Sequence, residues 1–250
     1  MKITILGSGT AVPSLHRNSS GLLVQDGDVN TLFDMGYGTL KALLNQGIDY
    51  HRIDRIFFTH NHPDHICDLI PFLFGSRYYP DPRRADLEIV AAPGFHEFLD
   101  QLLNSFGKWL RPTEYAITFS EQDEEERVYE NLKVLSKKVE HIPLSRGYRV
   151  TDARGASVAI SGDTDYCEAM VELGKDADLM ILECAFPDDM KVKGHLSPQW
   201  AGRLAREANC RKLCLTHFYP PCDLDEIRKA CAQEYSGEIF LAEDGMQFEL

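Results

Sequence analysis

Nothing in this chain approaches the roughly 18 consecutive apolar residues of a membrane-spanning helix. Met1-Lys2-Ile3 runs straight into a strand-like segment, without the charged and then apolar stretches of a secretion signal. Neither a membrane protein nor a secreted one is expected. The seven cysteines, at 67, 167, 184, 210, 214, 222 and 231, are odd in number and follow no repeating spacing. That argues against a disulfide framework and makes a reducing cytoplasm the natural setting. Cys210, Cys214 and Cys222 have no fourth partner, and Cys214 sits inside an alternating strand pattern, so no structural zinc site is expected there. Self-similarity at a period of about 20–50 residues is also missing, which removes solenoids.

Positive charge is scarce as well. Lys and Arg number 26 against 39 Asp and Glu, a net charge of -13, whereas binding a polyanion through counterion release needs a basic face. Arg77, Arg83-Arg84 and Lys137-Lys138 therefore read as solvated surface charges before nucleic-acid contacts. Gly7-Ser8-Gly9-Thr10 lacks the remainder of either glycine-rich phosphate-binding pattern and reads as a tight turn after the first strand. With 44% hydrophobic residues in 250, the chain can bury one substantial core or two fused half-sheets, and a single domain spanning 1–250 is expected.

What the chain does have is Thr59-His60-Asn61-His62-Pro63-Asp64-His65, three imidazoles and a carboxylate directly after an apolar strand-like segment. His60 and His62 stand two apart and can point the same way, while Asp64 and His65 start the next helix and face a second cation. No cysteine falls in the run, which favours a hydrolytic centre with open positions over a closed structural one. Further donors come from His141, from Asp163 in Ser161-Gly162-Asp163-Thr164 and from His217 in Leu215-Thr216-His217. Each follows a predicted strand, so all are expected at a common sheet edge. Strand-like runs fall at about 2–6, 21–25, 30–34, 55–59, 87–91, 132–135, 157–161, 178–182, 212–216 and 238–241. Helix-like runs fall near 38–46, 65–76, 95–106, 167–174, 198–208 and 224–234. This order supports an α/β, four-layer αβ/βα sandwich. The charged run Glu121 to Arg127 reads as a solvated connector between its halves.

These residues resemble the metallo-β-lactamase superfamily, and within it the ribonuclease Z-like branch. Ile5-Leu6-Gly7-Ser8-Gly9-Thr10-Ala11-Val12-Pro13, with Arg17-Asn18-Ser19-Ser20, is similar to that branch's first strand and loop. Leu32-Phe33-Asp34-Met35-Gly36-Tyr37-Gly38-Thr39 is similar to its second signature. The resemblance implies two divalent cations, zinc foremost with manganese or iron as alternatives. His60, His62 and His141 would hold one, Asp64, His65 and His217 the other, and Asp163 would bridge both. It further implies that Glu183, in Leu182-Glu183-Cys184-Ala185-Phe186, acts with His195, in Gly194-His195-Leu196-Ser197, and that the chain assembles as a homodimer. The absence of a matching cysteine departs from the most familiar β-lactamases, and His62 stands where the superfamily's diiron flavoproteins carry Glu.

Ribonuclease Z proper carries a tRNA-clamping arm between the residues matching His141 and Asp163. Here those residues are only 22 positions apart and read as a plain hairpin around Asp152-Ala153-Arg154-Gly155. A small or cyclic phosphodiester is therefore the expected substrate. In that reaction Asp64 orients or deprotonates the attacking water, and His195, steadied by Glu183, assists the leaving oxygen. Processing of tRNA 3′ ends, a lactonase or thioesterase activity and a metal-binding scaffold without turnover are the alternatives. His16, His51 and His96 have no partner at metal spacing and read as surface or structural residues. Tyr78-Tyr79-Pro80 and Trp109 with Phe106 fit either an aromatic wall or ordinary packing.

Overall fold

The computed structural model describes residues 1–78 and 81–250, so part of the possible aromatic wall at Tyr79 and Pro80 lies outside the described residues. The amino-terminal half runs β1 (Lys2–Gly7), β2 (Gly21–Asp26), β3 (Val29–Phe33), α1 (Thr39–Asn45), β4 (Arg55–Phe57), α2 (Pro63–Ile66), α3 (Leu69–Tyr78), β5 (Leu87–Ala91), α4 (Phe95–Phe106) and β6 (Ile117–Glu121). It continues into β7 (Glu126–Tyr129), β8 (Leu132–Lys138), β9 (Arg146–Thr151), β10 (Ser157–Ile160), α5 (Glu168–Gly174), β11 (Leu179–Glu183), α6 (Pro198–Glu207), β12 (Lys212–Thr216), α7 (Leu224–Cys231), β13 (Glu238–Leu241) and β14 (Gln247–Glu249).

Two seven-stranded sheets form, β14-β1-β2-β3-β4-β5-β6 and β13-β12-β11-β10-β9-β8-β7. Their central strands are buried on both faces, and the period of two divides each of these between two cores. Ile3 and Ile5 of β1, Phe57 of β4, Tyr148 of β9 and Ile181 of β11 fill the space between the sheets. Leu6, Leu23 and Ile56 face outward onto Leu43 of α1, Phe72 of α3 and Leu99 of α4. Met180, Leu182 and Leu213 pack likewise on Leu173 of α5, Leu204 of α6 and Ile227 of α7. The expected αβ/βα sandwich is what these faces produce.

β3 to β6 are parallel to one another, as are β10 to β13. β8 is antiparallel to β9, and β9 to β10, so β8 runs with β10. The carboxyl ends of β4, β8, β10, β11 and β12 are therefore available to build one site. Among the described residues no helix is long and apolar enough to cross a membrane.

Three expectations need amending. The helix at 65–76 is two helices, parted at Cys67-Asp68, where the Asp68 carboxylate accepts from the N–H groups of Gly38 (3.1 Å) and Leu40 (2.9 Å) at the start of α1. The run 121–127 is only partly a solvated connector. Glu126 and Arg127 begin an edge strand, and Gln122 is fully buried, with its amide bound to the carbonyls of Glu125 and Val134 and to the Tyr129 hydroxyl. Arg83 is 1% exposed, not a surface charge, and donates to the carbonyls of His51, Ile53, Ala85 and Asp86.

Candidate metal centre

Beyond Phe57 the chain leaves the sheet, and His62 stands in extended backbone just before α2, with Pro63 opening the helix. His60 and His62 thus precede the helix, while Asp64 and His65 lie in its first turn. His141 follows β8, Asp163 follows β10 and His217 follows β12. All seven sequence-predicted donors are brought together. Gly36 permits a close approach here, because a Cβ on it would lie 2.0 Å from the Asp64 carbonyl oxygen.

The donors fall into two sets. In the first, His62 Nδ1 lies 3.0 Å from His60 Nε2 and 3.2 Å from His141 Nε2, and Asp163 Oδ2 lies 3.7 and 3.8 Å from those two Nε2 atoms. In the second, Asp163 Oδ1 is 3.2 Å from His65 Nε2 and 3.4 Å from His217 Nε2. Asp64 Oδ2 is 3.4 Å from His217 Nε2 and 3.9 Å from His65 Nε2. Donors bonded at about 2.0–2.1 Å to one tetrahedral cation stand about 3.3 Å apart, so both sets fit a divalent metal. Asp163 turns one oxygen to each.

The outer ring nitrogens fix the tautomers. His65 Nδ1–H donates to Asp34 at 2.7 Å and His141 Nδ1–H to the Gly194 carbonyl at 2.8 Å. His60 Nδ1 lies 3.0 Å from the Thr59 hydroxyl, which in turn donates to Asp34 at 2.8 Å. Each leaves Nε2 facing inward, the outer arrangement typical of metal-bound histidines. His65 Nε2 and Asp163 Oδ1 are buried with no hydrogen-bond partner in the protein. A cation would relieve that cost, since unpaired buried polar atoms are rare in folded proteins.

Electrostatics agree. Burial and the neighbouring His65 push His60 well below the usual imidazole pKa, and burial lowers His141, so both are neutral donors. Burial opposes charge on Asp163, but the imidazoles of His217 and His65 outweigh it and hold the carboxyl well below its ordinary range. Burial likewise opposes charge on His65, yet Asp163 and Asp34 outweigh it and raise the imidazole. That proton is the one a metal would displace.

Glu183 and His195 meet beside this cluster. Glu183 is 1% exposed and accepts from Thr164 N at 2.9 Å, Ala185 N at 3.1 Å and His195 Nδ1–H at 2.8 Å. Burial works against a charged His195, but the Glu183 hydrogen bond and charge prevail and raise its pKa. One donor atom from each of His195, Asp163 and His217 lies within 4.8 Å of the others.

Sequence reasoning missed the supports. Asp34 sits at φ 62°, a backbone region few side chains adopt, and ties Thr59 and His65 together. Its signal was present, an acid immediately after β3 in Leu32-Phe33-Asp34-Met35-Gly36. Lys191 grips Asp165 at 2.8 and 2.9 Å, and Asp165 accepts from Gly194 N at 3.1 Å, setting the carbonyl that His141 needs. No sequence spacing announced that pair. The expected tight turn at 7–10 does not form, since Gly7 ends β1 and the first bend comes at 11–12, and the segment instead serves the site, because the Ser8 carbonyl accepts from His217 N at 3.0 Å. His16 is exposed and lines a cleft beside Phe218 and Tyr219, whereas His96 pairs with Asp100 on the surface of α4. Phe106 and Trp109 line an open apolar groove with Ile70 and Phe74, formed by none of the cluster residues.

A family model described as a β-lactamase superfamily domain matches residues 29–218. A ribonuclease Z of Myxococcus xanthus is 31% identical over 303 aligned positions, covering 100% of this chain and 98% of that protein. A probable metallo-hydrolase of Bacillus subtilis, YhfI, is 28% identical over 251 positions, covering 100% of both chains. The crystal structure of YhfI superposes with a TM-score of 0.87 at 26% identity over 99% of each chain. Human short-form tRNase Z superposes at 0.80, with 26% identity over 100% of this chain and 99% of that one.

Proposed function

Since the chain belongs to the β-lactamase superfamily, we propose that it is a dinuclear metal-dependent hydrolase acting on small or cyclic phosphodiesters. The observation that carries this reading is Asp163, whose two oxygens face two separate donor sets, with the His195–Glu183 pair alongside. His60, His62 and His141 would hold one cation, and Asp64, His65 and His217 the other. The pair, zinc in the first instance, would supply Lewis acidity toward the phosphoryl oxygens and a nucleophilic water at neutral pH.

The protein's own residues do the rest. Burial opposes charge on Asp64, but His217 and His65 outweigh it and lower its pKa, so Oδ2 can accept a proton from the attacking water or orient it. Glu183 takes the Nδ1 proton of His195 in a hydrogen bond, which stabilises the imidazolium and leaves the other ring nitrogen to protonate the departing oxygen. Thr59 and Asp34 keep His60 and His65 in the required tautomers.

Small substrates are favoured by the segment between His141 and Asp163, which holds only β9, β10 and their tight connection, and by the net charge of -13. The alignment with the Myxococcus ribonuclease Z runs to 303 positions over 250 residues, so that protein carries residues with no counterpart here, whereas YhfI aligns over 251. The seven free cysteines suit a cytoplasmic setting. The likeness to ribonuclease Z proteins supports a second reading, tRNA 3′-end processing. A panel of bis-aryl phosphate, cyclic nucleotides, precursor tRNA, lactone and thioester, under defined zinc, manganese and iron loading, tests both. Turnover of the lactone or thioester in preference to every phosphodiester would overturn the phosphodiesterase reading.

A further inference from the structure

On the side of the cluster formed by His195 and His217, two aromatic rings lie face to face. Phe186, just past β11, and Tyr219, just past β12, have centroids 4.5 Å apart and planes 17° from parallel. The Tyr219 ring is 5.7 Å from that of His217 and 6.4 Å from that of His195, and Phe186 is 6.5 Å from His195. Both rings are half-buried, and neither belongs to the three apolar cores. They pack on each other and against the imidazoles of His195 and His217 rather than into the apolar cores. Tyr219 also lines a cleft of about 360 Å³ together with Val12, Pro13 and His16. That volume lies within the range of small-molecule sites.

We propose that Phe186 and Tyr219 form a stacking shelf for a planar aromatic ring carried by the substrate, of which a nucleobase is the fitting class. The base would lie against the shelf, which stands beside His195 and His217, with the phosphodiester at the donor cluster. Stacking of a base on an aromatic side chain tolerates different bases and contributes about tenfold or more to affinity. The inference deepens the phosphodiesterase reading and rests on it for turnover, but ring recognition can be read independently by binding.

Two measurements on the full-length, metal-loaded protein test it. The first compares kcat/KM for a nucleoside 3′,5′-cyclic monophosphate with that for a ring-free dialkyl phosphodiester. In Tyr219→Leu and Phe186→Leu the ratio of the two should fall about tenfold, through KM, while Tyr219→Phe should retain it. An unchanged ratio in both leucine variants would overturn the shelf. The second compares binding of AMP and ribose 5-phosphate by calorimetry. AMP should bind at least about fivefold more tightly, and Tyr219→Leu should remove that advantage. If no phosphodiester is turned over but the AMP preference holds, the shelf stands and the reaction class fails. Equal affinity for AMP and ribose 5-phosphate would overturn the shelf whatever the reaction.

Discussion

Under the proposed dinuclear reading, Asp163 is the residue on which both metal positions would depend, because its two oxygens face different donor sets. Asp163→Ala should reduce bound divalent metal from about two equivalents to one weakly held equivalent or none, read by elemental analysis after reconstitution and desalting. Asp34 acts one layer out. Asp34→Asn keeps an acceptor for Thr59 but removes the charge that His65 donates to, so metal affinity should fall roughly 10–100-fold. His195 differs from these in kind. His195→Ala should retain metal and fold yet lose about 10²–10⁴-fold in turnover of phosphodiesters with poor leaving groups, and less with an activated aryl leaving group. Equal losses on both substrates, or loss of metal, would mean that His195 is a ligand. The seven donors were readable because their spacing and strand-end positions carry the pattern, whereas the His195–Glu183 pair was legible only through the family resemblance. Lys191 and Asp165 were not legible, because a pair that meets only when two loops fold together leaves no local trace.

At the scale of elements, the buried strands and the amphipathic helices were legible, since both faces of β1, β4, β11 and β12 are apolar and α6 and α7 have one apolar stripe. The edge strands β6, β7 and β14 escaped. An edge strand needs only one partner and tolerates charge, so Glu126 and Arg127 resemble a solvated loop. The split between α2 and α3 also escaped, because nothing local says that Asp68 is required at α1. Asp68 is 7% exposed and accepts from two N–H groups of that helix start. Asp68→Ala should therefore cost about 1–3 kcal/mol in chemical denaturation, with metal content retained. A loss well under 0.5 kcal/mol would show that water replaces the carboxylate.

At the scale of the molecule, the centre lies where the two halves meet. The sheet containing β4 leads into His60, His62, Asp64 and His65, and the sheet containing β10 leads into His141, Asp163, Glu183 and His217. A ligand that binds only the folded state raises its stability by mass action, so chelation should lower the melting temperature of wild type. Asp163→Ala should show little of that response. The proposed preference for small substrates is likewise a whole-molecule argument, resting on net charge and the short β9–β10 hairpin rather than on any one residue. The most direct measurement is kcat/KM for a cyclic nucleotide and for precursor tRNA, on the zinc-loaded enzyme at two salt concentrations. Expected is a higher value for the cyclic nucleotide, with weak dependence on salt. Efficient 3′-end cleavage of tRNA with a steep salt slope would contradict the small-substrate reading and make this chain a tRNA-processing ribonuclease.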